Sequence, residues 1–119
     1  YKNPARKKIL LTPGFSPIEF YSEKTKQGPY SDIYSLAAIL YYYITNEIPA
    51  EANERIIEDT LVPVSEYKSI NGLGFLEDVI SKNLSLDYRK RCQSINSYKF
   101  ALLKQYYKYL LKNNRGYGI

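Results

Sequence analysis

The chain has 119 residues, about the length of one domain, and 45% of them are apolar, which is ordinary for a soluble globular protein. It contains no His and a single Cys92, so the sequence excludes imidazole chemistry and an internal disulfide, and no residues have the spacing of a metal site. No apolar run approaches the roughly 18–20 residues of a membrane span, and the net charge of +5 is concentrated in residues 81–119, where nine Lys and Arg accompany one acid, Asp87.

The N-terminal part of the chain is predicted to be an extended arm that leads into a short helix. Residues 1–11 carry no helix signal and are expected to be extended, and Thr12-Pro13-Gly14 is a turn signal. Ser16 is then a candidate N-cap, with Pro17 at the first helical position, for a helix that ends near Tyr21.

A central apolar helix is predicted at about residues 31–45. Ser31 is a candidate N-cap, and Asp32 would lie in the first turn, where the helix dipole favours an acid. Between residues 33 and 44, Ser35 is the only polar side chain apart from Tyr hydroxyls, so the segment is apolar on every face. A buried strand is the alternative, but the length and the cap favour a buried helix.

The second half of the chain is predicted to add a short helix at about 50–57, an amphipathic helix at 73–83 and a loop at 87–92. Ser94 is expected to cap the last helix. Apolar residues at three- and four-residue steps predict the packed stripe of that helix: Phe100, Leu103, Tyr107 and Leu110. A basic stripe, predicted to be a solvated face, lies beside it: Lys104, Lys108 and Lys112.

The predicted fold class is therefore all-α, with about five helices around the central helix. The helical domain is expected to span residues 12–112, between the arm at 1–11 and a short tail at 113–119. Because the chain contains no Met, we expect it to be a piece of a longer protein.

Three stretches carry a resemblance to a known family. They are Thr12-Pro13-Gly14-Phe15-Ser16-Pro17-Ile18-Glu19-Phe20-Tyr21, then Gly28-Pro29-Tyr30-Ser31-Asp32-Ile33-Tyr34-Ser35-Leu36-Ala37 with the following run to Pro49, and then Leu86-Asp87-Tyr88-Arg89-Lys90-Arg91-Cys92-Gln93-Ser94. In this order they resemble the end of the activation segment, the central helix and the loop before the last helix in the C-lobe of bacterial, eukaryotic-like Ser/Thr protein kinases. Three departures stand out: Pro17-Ile18 replaces Ala-Pro, Ala37 replaces Gly, and both prolines around Arg91 are changed.

The resemblance implies roles for six residues. Glu19 and Arg91 are implied to form a buried structural ion pair, and Asp32 to anchor the catalytic loop. Three further residues are implied to position the protein substrate: Thr12, Gly14 and Phe15. Simpler interpretations stay open for Glu19 as a surface acid early in a helix, for Asp32 as a complement to the helix dipole, and for Thr12 as a turn residue.

The same resemblance implies that this chain is catalytically incomplete. It contains no Gly-rich phosphate loop, no His-Arg-Asp catalytic loop and no Asp-Phe-Gly motif, so no catalytic, cofactor-binding or metal-binding residue is assigned. ATP and Mg²⁺ are expected to bind only to a full-length parent protein. This parent is expected to be a cytoplasmic bacterial protein, either an active kinase that acts on a protein substrate or a pseudokinase. The rest of the kinase domain is the expected partner, and without it the exposed central helix is expected to cause self-association.

A second hypothesis assigns the chain to a different class. It is a stand-alone helical interaction module that binds acidic partners or nucleic acid through its basic C-terminal helix.

Overall fold

All regular secondary structure is helical in the computed structural model, which describes residues 11–22, 24–67 and 72–115. Those ranges contain four α-helices: α1 (Pro29–Thr45), α2 (Ala52–Arg55), α3 (Glu77–Asn83) and α4 (Ile95–Arg115). They also contain four short 3-10 helices, at Ile18–Tyr21, Val64–Glu66, Gly74–Leu76 and Tyr88–Lys90. The all-α prediction is confirmed, whereas the predicted arm at 1–11 and the tail at 113–119 lie mostly outside the described residues. No described helix is long and apolar enough to cross a bilayer.

Helix α1 begins two residues before the predicted cap. Gly28 is the N-cap residue and Pro29 occupies the first turn, where its fixed φ and missing N–H are tolerated. Ser31 therefore lies inside the helix, and the prediction that it is the N-cap was wrong. Its Oγ instead accepts a hydrogen bond from the Gly28 amide at 3.2 Å, while Asp32 lies in the first turn as expected.

The C-terminal end of α1 follows the prediction. Asn46 adopts the left-handed conformation with φ of 62° and donates its amide to the Tyr42 carbonyl at 2.7 Å. The side chain of Thr45, in the last turn, donates to the carbonyl of Tyr41 at 2.7 Å. These bonds satisfy backbone carbonyls that the end of a helix otherwise leaves without partners.

The hydrophobic core is built around one side of α1. The buried side chains on this side are Ile33, Tyr34, Ala37, Ala38, Tyr41 and Ile44. Most of them pack with Ile80 of α3 and with Leu76 and Leu84 on either side of that helix, whereas Ile33 packs with Val79 of α3 and Tyr98 of α4. The opposite side of α1 is exposed, at 39% for Leu36 and 53% for Ile39. A helix that is apolar on every face is thus covered on only part of its circumference by the described chain.

The short helix near the N-terminus begins later than predicted. It is a 3-10 helix of four residues that starts at Ile18, with Pro17 in the cap position and no side-chain cap. Ser16 does not cap it, because the Ser16 Oγ accepts a hydrogen bond from the Thr12 amide at 2.8 Å and so closes the preceding turn. The helices predicted at 50–57 and 73–83 are present but shorter, as α2 and as a 3-10 turn followed by α3.

Helix α4 has the predicted cap but packs through a different face. The Ser94 Oγ accepts a hydrogen bond from the Ser97 amide at 3.1 Å, as the N-cap prediction requires. Three of the four residues of the predicted stripe point outward, since Phe100, Leu103 and Tyr107 are 52–69% exposed, whereas Leu110 is half-buried. The packed face instead carries Tyr98, Ala101 and Leu102, with Tyr109 stacked on Phe75 at a centroid distance of 4.3 Å. Since α4 is apolar on two faces, spacing within the helix could not decide which one is buried.

Candidate functional site

A fully buried ion pair joins two parts of the chain that are 72 residues apart in sequence. The Nη1 and Nη2 atoms of Arg91 donate to Oε2 and Oε1 of Glu19 at 2.7 and 3.0 Å, and the two side chains are 0% and 1% exposed. The planar guanidinium and the carboxylate meet in the bidentate arrangement that suits Arg better than Lys. Ser31 donates a third hydrogen bond to Glu19 Oε2 at 2.7 Å, so the start of α1 is part of the same site.

Arg91 also organises the loop that follows α3. Its Nε donates to the carbonyl of Ser85 at 2.8 Å and its Nη2 to the carbonyl of Leu86 at 3.1 Å. Its Nη1 reaches the carbonyl of Tyr30 at 3.1 Å, in the first turn of α1. Each of its three nitrogens therefore has a backbone acceptor, and Nη1 and Nη2 also donate to the carboxylate. This is the satisfied state that a buried charge requires.

Tyr34 lies between Arg91 and a second buried arginine. The Arg91 guanidinium lies 4.9 Å from the centroid of the Tyr34 ring, and Arg55 Nη1 donates to the Tyr34 hydroxyl at 3.0 Å. Burial raises the pKa of Tyr34, and the positive charge of Arg55 opposes that rise. Tyr34 thus remains a neutral link between the two guanidinium groups.

Arg55 was not identified by the sequence analysis. It is 5% exposed, donates to the carbonyl of Leu84 at 2.7 Å, and forms a bidentate pair with Asp59 at 2.8 and 3.1 Å. The hydrogen bonds from Arg55 hold the pKa of Asp59 below its ordinary value, although partial burial opposes the shift. The four-residue spacing of Arg55 and Asp59 was a usable sequence signal for the pair, but not for the burial of the arginine.

Asn83 is a second residue that the sequence analysis missed. It is fully buried at the end of α3, where its Nδ2 donates to the carbonyl of Val79 at 2.9 Å. Its Oδ1 accepts the amide of Cys92 at 2.7 Å, one residue after Arg91. Asn83 therefore fixes the backbone that presents Arg91. Nothing in the local sequence distinguishes it from an ordinary helix-terminal Asn.

The segment that leads to Glu19 rests on α1 and on the turn after it. Gly14 has φ of +87°, and a Cβ there would clash with Ile48 and approach the Pro49 carbonyl to 2.8 Å, so this turn requires glycine. The Phe15 ring meets Tyr42 edge to face at a centroid distance of 6.2 Å, and the Phe15 carbonyl accepts a hydrogen bond from Ser35 at 2.8 Å. Thr12 is exposed at the start of the turn, and its carbonyl accepts the Phe15 amide at 2.9 Å.

The structure thus brings some of the six implied residues together and keeps others apart. Glu19 and Arg91 are in direct contact, whereas Thr12, Gly14 and Phe15 form a separate turn a few residues upstream. Asp32 is exposed in the first turn of α1, next to Ser31 but on the solvent side. The functional roles of these residues remain predictions.

The chemistry that this arrangement supports is structural. The Glu19 carboxylate is engaged by Arg91 and Ser31, so it is not placed to accept a proton from a substrate. Within the part of the chain that the structure describes, no cluster of three or more His, Cys, Asp or Glu could hold a metal ion. The site fixes the end of one segment against the loop before α4.

A solved structure shares both fold and sequence with this chain. The solved structure described as "PpkA-294 apo form" is similar to this chain with a TM-score of 0.68 and 36% sequence identity. The similarity covers 77% of this chain and 32% of that structure, so the chain spans about a third of its length. No protein-family model matches the chain, and no curated protein matches it. The likeness supports the kinase-related fold that the three sequence motifs indicate, and the helical architecture corresponds to a part of a kinase C-lobe.

Proposed function

We propose that this chain is the substrate-side and scaffold part of the C-lobe of a Ser/Thr protein kinase. The observation that supports this most directly is the bidentate pair between Glu19 and Arg91. It joins the segment with the activation-segment motif to the loop before the last helix, as the resemblance implies. A surface acid early in a helix, the simpler interpretation of Glu19, does not account for a carboxylate that is 1% exposed.

The roles follow from the positions of the residues. The turn formed by Thr12, Gly14 and Phe15 would position the Ser or Thr segment of a protein substrate. Asp32 would anchor the catalytic loop of the parent kinase at the start of α1. ATP and Mg²⁺ would bind to parts of a longer bacterial, cytoplasmic parent, because phosphoryl transfer depends on a phosphate loop, metal ligands and a catalytic carboxylate that this sequence lacks.

The exposed side of α1 is consistent with this proposal. Leu36 and Ile39 lie on the solvent side of a helix whose other side forms the core. In a complete kinase domain, the catalytic loop and the helix before it would cover this side. The chain alone is expected neither to bind Mg-ATP nor to phosphorylate a peptide, and calorimetric titration that gave micromolar ATP binding would contradict this expectation.

The decisive experiment uses the parent protein. Its sequence upstream of Tyr1 should contain the phosphate loop and the catalytic Asp motif, or degraded versions of them in a pseudokinase. If the parent is active, Phe15→Ala should raise KM for the protein substrate and leave KM for ATP unchanged. Ile57→Ala is the control, since Ile57 is 87% exposed and lies outside the turn at Thr12–Phe15. A parent without any kinase motif, or equal effects of the two variants, would contradict the proposal.

The alternative function rests on the exposed lysines of α4. Lys104, Lys108 and Lys112 are all exposed, as a module for acidic partners or nucleic acid requires. If this face is only solvated, duplex DNA should bind weakly and be released by physiological salt. Sequence-specific DNA binding that persists at that salt would favour the interaction module over the kinase scaffold.

A further inference from the structure

Helix α4 carries a second apolar surface that points into solvent. Its members recur at three- and four-residue steps over about three turns, and we call them the outer row: Phe100, Leu103, Tyr107 and Leu111. Their side chains are 52–69% exposed, with Phe100 the most exposed at 69%. The inner face of α4 is already used, because Tyr98 and Leu102 pack with α1 and α3. The outer row therefore takes no part in packing this helix against the rest of the described chain.

The outer row is flanked by lysines of its own helix, and Asp78 of α3 lines a neighbouring shallow surface together with Lys104. Lys104 and Lys108 line the same shallow surface as the four apolar residues. Lys99 and Lys112 are exposed on the same helix. The sequence from Ile95 to Arg115 contains five basic residues and no acid, so no carboxylate in this helix offsets their charge.

We propose that the outer row and its lysines form a docking surface for an anionic lipid membrane. An interfacial helix places aromatic and aliphatic side chains at the boundary between head groups and acyl chains, while its lysines stay with the head groups. Phe100 and Leu103 supply the apolar part, and Lys104 and Lys108 supply the charges beside it. Clusters of four or more Lys or Arg on such a helix are typical of binding to anionic lipids. The helix would lie along the surface, because it is too polar to cross.

Other occupants fit the same surface less well. A second copy would bring Lys104 and Lys108 against their own counterparts, and α4 itself has no carboxylate to place between them. A partner helix is usually held in a groove between two elements, whereas this surface is lined by side chains of α4 alone. Nucleic acid would use the lysines but leave Phe100 and Leu111 without an apolar environment.

The test is co-sedimentation of the 119-residue chain with vesicles. Mixed phosphatidylglycerol–phosphatidylcholine vesicles should bind the chain, pure phosphatidylcholine vesicles should bind it much less, and high salt should release it. Leu103→Ser with Tyr107→Ser should weaken binding about ten-fold or more, because two apolar contacts are removed. Lys104→Gln with Lys108→Gln should weaken it at low salt and reduce its salt dependence.

Two controls separate the outer row from general stickiness and from general charge. Ile56→Ser with Ile57→Ser removes two exposed apolar side chains that lie outside both α1 and α4, and should leave vesicle binding unchanged. Lys24→Gln with Lys26→Gln makes the same charge change in an exposed loop and should have a much smaller effect than the α4 pair. Circular dichroism verifies that each variant is folded.

The proposal is overturned by any of four results. These are no binding to anionic vesicles, equal binding to both kinds of vesicle, unchanged binding of the α4 apolar variant, or loss of binding in the Ile56–Ile57 variant. Capture of duplex DNA that depends on the lysines but not on the outer row, without vesicle binding, would assign the surface to nucleic acid instead.

Discussion

Arg91 and Arg55 both donate to the loop that follows α3, Arg91 to the carbonyls of Ser85 and Leu86 and Arg55 to that of Leu84. The last carbonyls of a helix and the residues after it have no partners within the helix, so side-chain donors that reach them are stabilising. Each arginine is neutralised by a carboxylate, and both contact Tyr34. At the scale of single residues, two buried guanidinium groups therefore donate the hydrogen bonds to these carbonyls that backbone amides would donate in a strand or a longer helix.

Arg91→Ala is expected to destabilise the chain by about 3–5 kcal/mol, because the variant leaves the buried Glu19 carboxylate without its partner. Arg89→Ala is the matched control. Arg89 is 75% exposed and pairs with Asp87 at the surface, so its loss should change stability very little. Chemical denaturation of the two variants measures the difference. Equal midpoints would show that the Glu19–Arg91 pair contributes no more than a surface pair.

Tyr98→Phe is expected to stabilise the chain by about 1 kcal/mol at neutral pH, since the Tyr98 hydroxyl is buried without a hydrogen-bond partner among the described residues. Burial, together with the nearby Cys92, raises the pKa of Tyr98 to about 12 from an ordinary value of 10.0. Because the folded pKa is the higher one, the unfolded chain loses this proton first, so the stability of the fold is unaffected by Tyr98 ionisation below pH 10.0 and falls as the pH rises through about 12.

The Tyr98→Phe variant should therefore lose less stability than the unsubstituted chain between pH 10.0 and about 12. Thermal melts at neutral and alkaline pH measure both effects. Tyr107→Phe is the control, because Tyr107 is 63% exposed on the outer row of the same helix. If the melting temperature of the Tyr98→Phe variant at neutral pH is lower than that of the unsubstituted chain, the hydroxyl has a partner that stabilises the fold.

At the scale of the elements, the ends of the helices are fixed locally while their faces are not. Ser94 caps α4, and the left-handed Asn46 ends α1, each through groups within four residues. The buried face of α4 depends on Phe75, which comes from a different part of the chain and stacks on Tyr109. The boundaries of an element thus follow from its own sequence, whereas its orientation follows from its neighbours.

Asn46→Ala is expected to destabilise the chain by about 1 kcal/mol, because a side chain with a Cβ and no polar group is unfavourable at a φ of 62°. Asn46→Gly should be neutral or slightly stabilising, since glycine adopts this conformation without steric cost. Urea denaturation of the pair gives the comparison. If Ala and Gly are equally tolerated at this position, the left-handed cap does not determine where α1 ends.

For the molecule as a whole, the described chain has more apolar surface than its own core can cover. Leu36 and Ile39 on α1 and the outer row of α4 are both exposed. Monomers usually expose apolar patches of no more than a few hundred Å², and larger ones mark interaction sites. We propose different partners for the two exposed faces, the remainder of a kinase domain for the first and a lipid surface for the second.

The isolated chain is expected to self-associate through the exposed side of α1. Light scattering over a concentration series should show a rising mean mass, and a hydrophobic dye should bind at low concentration. Leu36→Ser with Ile39→Ser should reduce both signals. Ile57→Ser is the control, since Ile57 is 87% exposed but lies outside α1. A monomer at every concentration that binds no dye would show that the exposed side of α1 does not drive association.

The sequence by itself determined the fold class, the position of α1, the cap of α4 and the end of α1 at Thr45-Asn46. These features depend on apolar spacing and on hydrogen bonds between residues a few positions apart, which a local pattern records. The pairing of Glu19 with Arg91 was implied only by the resemblance to kinases, because nothing local relates residues 72 positions apart.

Only the tertiary structure decided which faces are buried. It covered one side of α1 and left Leu36 exposed, and it turned Phe100 of α4 outward. It also made Ser31 a hydrogen-bond donor to Glu19 rather than the N-cap of α1, and it buried Arg55 and Asn83. Each of these outcomes depends on groups brought together from distant parts of the chain. The free energy of such contacts is a property of the packed arrangement and leaves no periodic signal in the sequence.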